Sequence, residues 1–251
     1  MRHWMIAAAL MLASAPQLQA ADVPAHIAAA VAAVERSSAD RERDARDKPA
    51  ELMAFAGVAE GMSVADVFGA GGYWTELLAR AIGQKGSVSL VNNAPYFSFG
   101  EKDIKTRFAG ERLPNTRLRT VETCDLKMGR DAFDLIVIFM SYHDLYWVDE
   151  AGGWPAIDAD AFLRQLHDAL KPGGRMLIVD HAAATGSGSS AAQELHRIEE
   201  SFARSDFEAH GFELEKTWDG LRNPADDYSK LVFDPAVRGK TDRFTHLYRR
   251  P

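Results

Sequence analysis

Cysteine is almost missing from this chain of 251 residues, with Cys124 standing alone. No internal disulfide can form, and no metal site can be built from several thiolates. The fold must therefore be held by its apolar core, which a chain of this length can bury. Cys124 itself is expected to be a buried thiol. Basic excess is missing too: 29 Lys and Arg face 36 Asp and Glu, for a formal charge of -7. That balance speaks against non-specific binding to nucleic acid or anionic lipid. No uninterrupted apolar run reaches the roughly twenty residues needed to cross a bilayer. Low-complexity tracts and internal repeats are absent as well.

What is present begins with a start that reads as a targeting segment. Arg2 gives a short positive region, Ile6 to Ala15 is apolar, and Leu18-Gln19-Ala20 offers a small residue at a cleavage point. The expectation is a signal peptide over residues 1–20, cleavage after Ala20, export to the periplasm or medium, and no membrane span afterwards. The other reading of this run is a core or amphipathic N-terminal helix.

Residues 21–60 then read as a helical segment packed on the core. Ile27, Val31 and Val34 recur at helical spacing, and the charged stretch from Asp40 to Lys48 reads as a solvated helix face. From residue 61 to 251 strands alternate with helices. Ser63 to Val67 is a short apolar strand, Tyr73 to Ile82 a helix, and Val88 to Val91 a second strand. Thr116 to Val121 is a weaker strand, and Leu135 to Phe139 a β-branched run suited to burial on both faces. Phe162 to Leu170 is a helix capped by Asp158, closed by Lys171-Pro172-Gly173-Gly174 before a strand from Met176 to Val179. After the flexible Gly186-Ser187-Gly188-Ser189-Ser190, one helix is expected to run to about His210, carried by Ala192, Leu195, Ile198 and Phe202. Phe212 to Thr217 and Arg243 to Tyr248 are late strands. This alternation implies an α/β fold, a mostly parallel sheet covered by helices on both faces.

The chemistry-bearing residues fall at strand ends. Asp66 precedes Gly69, Gly71 and Gly72, which open a helix, and such a loop lets backbone N–H groups approach a ligand. A tight structural turn or a dinucleotide-binding loop accounts for the same glycines. After the fourth strand come Tyr142, His143 and Asp144, and after the fifth Asp180 and His181. His143 suits a proton acceptor, with Asp144 orienting it or binding a cation. The alternative is a pair that anchors the loop. Tyr142 and Trp147 can wall a pocket or pack the loop. His196 and Arg197 read as structural hydrogen-bonders on polar helix positions. His143, Asp180 and His181 contain no close-spaced ligand pair, so no metal is expected.

The order of these segments over roughly residues 60–215, and LKPGGRMLIVD above all, resembles class I S-adenosylmethionine-dependent methyltransferases. RDARDKP, GAGGYWTELLA, YHD, VDHAA and NPADDYSK…GKTDRF are similar to a subset of predicted bacterial methyltransferases that carry signal peptides. The resemblance implies a Rossmann-like fold with an antiparallel C-terminal strand and S-adenosyl-L-methionine as cofactor. It places Asp66 at the end of the first strand and Gly69, Gly71 and Gly72 beside the methionine part. Asn92 takes the place of the acid that binds the ribose hydroxyls, and Asp125 matches the acid facing the adenine amino group. His143, Asp144 and Tyr142 fall in the active-site loop, facing a small-molecule acceptor with an O, N or S nucleophile.

Two departures stand out. Phe68 and Ala70 replace loop glycines, and Asn92 lacks the charge of an acid. With export, they leave open a second reading: a domain that kept the fold, lost the chemistry, and binds another small ligand or an envelope partner. Arg43, Asp47 and Lys48 are candidates for a lid over the cofactor.

Overall fold

The computed structural model describes residues 23–251. The expected signal peptide lies outside the described residues. Three helices precede the sheet: α1 (Ala25–Ala32), α2 (Ser38–Asp47) and α3 (Pro49–Ala56). Ser37 caps α2 by accepting from the Asp40 N–H, and Pro49 starts α3, where a missing N–H costs nothing.

The sheet has seven strands in the order β3-β2-β1-β4-β5-β7-β6. These are β1 (Ser63–Val67), β2 (Ser87–Asn92), β3 (Thr116–Thr120), β4 (Phe133–Phe139), β5 (Leu170–His181), β6 (Glu213–Thr217) and β7 (Arg243–Arg249). β1 to β5 pair in parallel, whereas β7 runs antiparallel to both β5 and β6. This is the Rossmann-like arrangement of class I methyltransferases.

Alternation along the strands builds two cores. Ala65, Ile136, Ile138, Met176 and Ile178 face one apolar cluster, while Val64, Leu135, Val137, Leu177 and Val179 face the other. Because both faces are covered, the central strands read as continuous apolar runs. Helices α4 (Tyr73–Ile82), α5 (Ala94–Arg107) and α6 (Ala159–Ala169) connect the strands. Asp158 caps α6 by accepting from the Ala161 N–H at 2.8 Å, as its position before the helix suggests. Lys171 to Gly174 bulge out of β5, since Phe133 pairs with Leu170 but Leu135 pairs with Arg175.

The single helix expected up to His210 is broken in two, α7 (Ala191–Leu195) and α8 (Glu200–Ala209). Between them His196 is left-handed at φ 51°, and Ile198 makes a parallel bridge to Ala182. Arg197 is fully buried and forms a two-pronged ion pair with Asp226 at 2.8 and 3.1 Å. Periodicity alone cannot anticipate this, because the partner lies in the 219–241 connection. Cys124 is exposed, not buried: it sits in a turn outside β3, where no core reaches it. The Asp40–Lys48 stretch is also more than a solvated face. Asp47 is buried between Arg43 at 2.5 Å and Arg243 at 2.8 Å, and Asp40 is held by Arg107 at 2.6 Å.

Candidate active site

β1 and β4 are neighbours, yet the chain leaves them in opposite directions along the sheet, β1 towards β2 and β4 towards β5. A crevice opens beyond the carboxyl ends of the strands at such a switch point. Here it is a cavity of about 470 Å³, lined by the loop after β1, the loop after β4, the end of β5, residues from α2, α4 and α5, His196 and the 219–241 connection. Its size falls in the range of small-molecule sites, about 300–1,000 Å³.

The loop after β1 is built on alternating left-handed residues, Phe68 (φ 56°), Ala70 (φ 49°) and Gly72 (φ 81°). Glycine adopts this conformation freely, whereas an L side chain pays about 1–2 kcal/mol. The Phe68 ring is buried and stacks on Tyr96 at 4.8 Å, with Trp154 and Phe162 close by. Ala70 is clasped by Asn92, whose side-chain oxygen accepts from the Ala70 N–H at 3.1 Å and whose amide donates to the Ala70 carbonyl at 3.0 Å. Gly69 is required for another reason: a Cβ there would lie 2.4 Å from the Asp66 carboxylate. Eight described non-glycine residues have positive φ, and four of them, Phe68, Ala70, Met140 and His196, line this one cavity. Backbone strain of this kind concentrates at functional sites.

Asp66 lies beneath the loop and is fully buried. One carboxylate oxygen accepts from the Thr75 hydroxyl at 2.6 Å, while the other, Oδ1, has no partner. Burial pushes its pKa up to about 7, against the opposing Thr75 hydrogen bonds.

Across the cavity, β4 ends at Phe139 and the chain turns into a short 3-10 segment, His143–Tyr146. Asp180, also fully buried, holds His143 twice: Oδ1 accepts from Nδ1 at 2.7 Å and Oδ2 from the backbone N–H at 2.8 Å. The His143 Nε2 atom is thereby aimed at Asp144 Oδ1 (3.3 Å) and His196 Nδ1 (3.3 Å). Asp144 Oδ2 accepts from the Tyr96 hydroxyl at 2.5 Å. Burial alone would lower the His143 pKa, but Asp144 and Asp180 outweigh it and raise it to about 9. Asp144 shows the opposite balance: burial would raise its pKa, and His143, His196 and Tyr96 hold it below the usual carboxylate value. His181 is pushed well below the ordinary histidine value by burial and then by the charge of His143; its Nδ1 is hydrogen-bonded to Thr241 Oγ1 at 2.7 Å.

The residues anticipated from the sequence divide clearly. Gly69, His143, Asp144, Trp147, His181, His196 and Arg43 line the cavity. Gly71 and Gly72 shape the loop without lining it. Tyr142 turns away: its hydroxyl donates to Asp206 at 2.5 Å, and its ring packs on Phe207 in the core. Asn92 is buried and committed to Ala70, and Asp125 is exposed, accepting from the Lys127 N–H. Neither lines the cavity. Of the proposed lid residues only Arg43 lines it, lying 4.0 Å over the Tyr73 ring, while Lys48 donates to the Gly220 carbonyl. Sequence reading missed Phe139, Met140, Tyr96, Trp154, Phe233 and Arg238, which complete the wall. No local pattern marks them, since they come from four separate segments.

These residues fit a sulfonium cofactor with an amino-acid end. Trp74 and Phe139, stacked on each other at 3.8 Å, line the cavity with aromatic surface that suits a cation. Arg43 and Arg238 are suited to a carboxylate. The adjacent Gly69–Gly72 loop leads into the N-terminus of α4.

Comparison with known proteins agrees. The model of the ubiE/COQ5 methyltransferase family matches residues 43–199. The ubiquinone/menaquinone biosynthesis C-methyltransferase of Idiomarina loihiensis is 29% identical over 125 residues, 49% of this chain and 44% of that protein. Its counterpart in Hahella chejuensis is 25% identical over 141 residues, 56% and 51% of the two chains. The matches thus span about half the length of these curated relatives. Among solved structures, a SAM-dependent methyltransferase from Aquifex aeolicus shares the fold with a TM-score of 0.55 at 17% identity, over 84% of this chain and 98% of that one. An arsenic(III) S-adenosylmethionine methyltransferase from Chlamydomonas reinhardtii does so with 0.53 at 18%, over 90% and 73%. The matched span carries the β1 loop, the β4 loop and the cavity histidines through His196, and the chain belongs to the ubiE/COQ5 methyltransferase family, with S-adenosyl-L-methionine as its cofactor.

Proposed function

We propose that the protein transfers a methyl group to a small-molecule acceptor bound in this cavity, and that it does so after export. The observation that carries the reading is the convergence of His143 and Asp144 on the same cavity wall that the β1 loop completes. S-adenosyl-L-methionine supplies an electrophilic methyl group on a sulfonium. Arg43, Arg238 and the aromatic surface of Trp74 and Phe139 would hold and orient it. Holding the acceptor at attack distance in the cavity would supply most of the rate.

His143 handles the acceptor's proton. While its imidazole is protonated, Nε2 donates a hydrogen bond to the acceptor heteroatom. Once a second positive charge enters the cavity, the imidazole releases its proton more readily and Nε2 serves as the base. Asp180 fixes the ring throughout. An O, N or S nucleophile suits this arrangement. A ring carbon activated by a neighbouring hydroxyl suits it too, in keeping with the C-methyltransferase names of the relatives.

The test is calorimetric titration with S-adenosylmethionine and S-adenosylhomocysteine. Saturable binding of both, weakened by Arg43→Ala, is expected. With an acceptor in hand, His143→Ala is expected to slow transfer by about 100-fold or more while cofactor binding persists; unchanged transfer would refute the base. The Asn92 clasp on Ala70 favours one rival, a domain that kept the fold and binds a different small ligand. Absence of cofactor binding in folded protein would favour that rival and refute the methyltransferase reading. For export, the expected mature chain starts at Ala21 in the periplasmic or extracellular fraction, and an intact Met1 chain in the cytosol would overturn it.

A further inference from the structure

We propose that His143, Asp144 and His196 form a binding site for a zinc-class divalent cation, with an open coordination position facing the cavity. The three side chains offer one atom each, and those atoms form a nearly equilateral triangle. His143 Nε2 to Asp144 Oδ1, His143 Nε2 to His196 Nδ1 and His196 Nδ1 to Asp144 Oδ1 are all 3.3 Å.

That spacing is informative. In a regular tetrahedron the donor–donor edge is about 1.63 times the bond, so zinc bonds of about 2.0–2.1 Å require edges of about 3.3–3.4 Å. Octahedral sites with bonds of about 2.0–2.1 Å need adjacent donors about 2.9 Å apart, which is tighter than observed. Two imidazoles and one carboxylate are also the donors preferred by zinc and its transition-metal neighbours.

The surroundings of each donor support the same conclusion. Asp180 accepts a hydrogen bond from the Nδ1–H of His143, so Nε2 is the atom aimed at the centre, where a cation would displace its proton; this carboxylate–histidine–metal relay typically orients a ligand. Tyr96 occupies Asp144 Oδ2 and leaves Oδ1 free to turn inward. His196 reaches the centre only because its backbone is left-handed, which breaks α7 from α8. Trp147 and Phe233 flank the His196 ring at 5.0 Å each, an apolar shell around a polar centre. All three donors line the cavity, so a fourth position is accessible to an oxygen or sulfur atom of a small ligand there. The site stands independently of methyl transfer. With a cation bound, His143 is a ligand instead of a base, and coordination itself promotes loss of an acceptor's proton.

The test uses the full chain stripped with a chelator and titrated with Co(II) as a spectroscopic substitute for Zn(II). One equivalent is expected to bind, with the strong visible absorption of a tetrahedral site, and Zn(II) is expected to displace it and to raise the melting temperature. His196→Gln and Asp144→Asn should abolish the absorption, and Asp180→Asn should weaken binding by about 10- to 100-fold. His196 and Asp144 are partly reachable by solvent, and circular dichroism checks that the variants fold. A second cluster, Asp160, Asp206 and His210, serves as the control. Binding lost in His210→Gln but kept in His196→Gln would overturn the proposal. So would octahedral absorption, or no saturable binding to the folded wild-type chain.

Discussion

Replacing Asp66 by Asn should make the protein more stable at neutral and alkaline pH and leave it little changed in acid. The carboxyl sits at the end of β1, between the Leu90 and Val137 rows of the sheet, and is fully buried. Only one of its oxygens has a partner, the Thr75 hydroxyl. Its folded pKa is about 7, against about 3.9 for a carboxyl in an unfolded chain. The native state therefore binds the proton more tightly than the unfolded state does. Below about pH 4 both states are protonated, and the group is neutral to stability. Between about pH 4 and pH 7 the unfolded state ionises first, and stability falls as pH rises. Above about pH 7 the full penalty applies, roughly 4 kcal/mol for a shift of about three units. Asn keeps an oxygen for Thr75 and carries no charge to desolvate. Urea unfolding of both proteins across this range isolates the effect, because every other titrating group cancels in the difference. The Asn variant should gain about 4 kcal/mol relative to wild type between about pH 4 and pH 8. A difference that stays constant with pH would show that Asp66 titrates normally, and the account of its burial would fall.

Other outcomes follow from the same structure. Asp226→Ala strands the buried Arg197 guanidinium and should cost about 3–5 kcal/mol by denaturant unfolding, whereas replacing both residues by apolar ones should recover most of that loss. Ala70→Gly releases a left-handed side chain and should stabilise the fold by about 1 kcal/mol in thermal unfolding; a destabilisation would mean the Asn92 clasp depends on the methyl group. The Cys124 thiol should react with a disulfide reagent in native protein without denaturant, and protection until unfolding would place it in the core after all.

Much of this molecule is legible along the chain. Runs such as Leu135 to Ile138, with a covered sheet on either side, announce buried parallel strands, and Asp158 announces the start of α6. Local order is written in local periodicity and capping, so those elements can be read one at a time. The glycine loop after β1 and the histidine loop after β4 were visible for the same reason, as residues at strand ends.

The tertiary structure alone decided which of these residues meet. His143, Asp144 and His196 form one triangle because the Ala182–Ile198 bridge and the Arg197–Asp226 pair break a helix that periodicity would have continued. Tyr142 left the site because Asp206, sixty-four residues away, accepts its hydroxyl. Asn92 was committed to Ala70 and Asp125 was left outside by the same kind of long-range choice. Sequence by itself determined the elements, the sheet class and the loops that bear chemistry, since these depend on neighbours within a few residues. Which side chains converge on the cavity depends on partners far apart in the chain, and only packing brings those together.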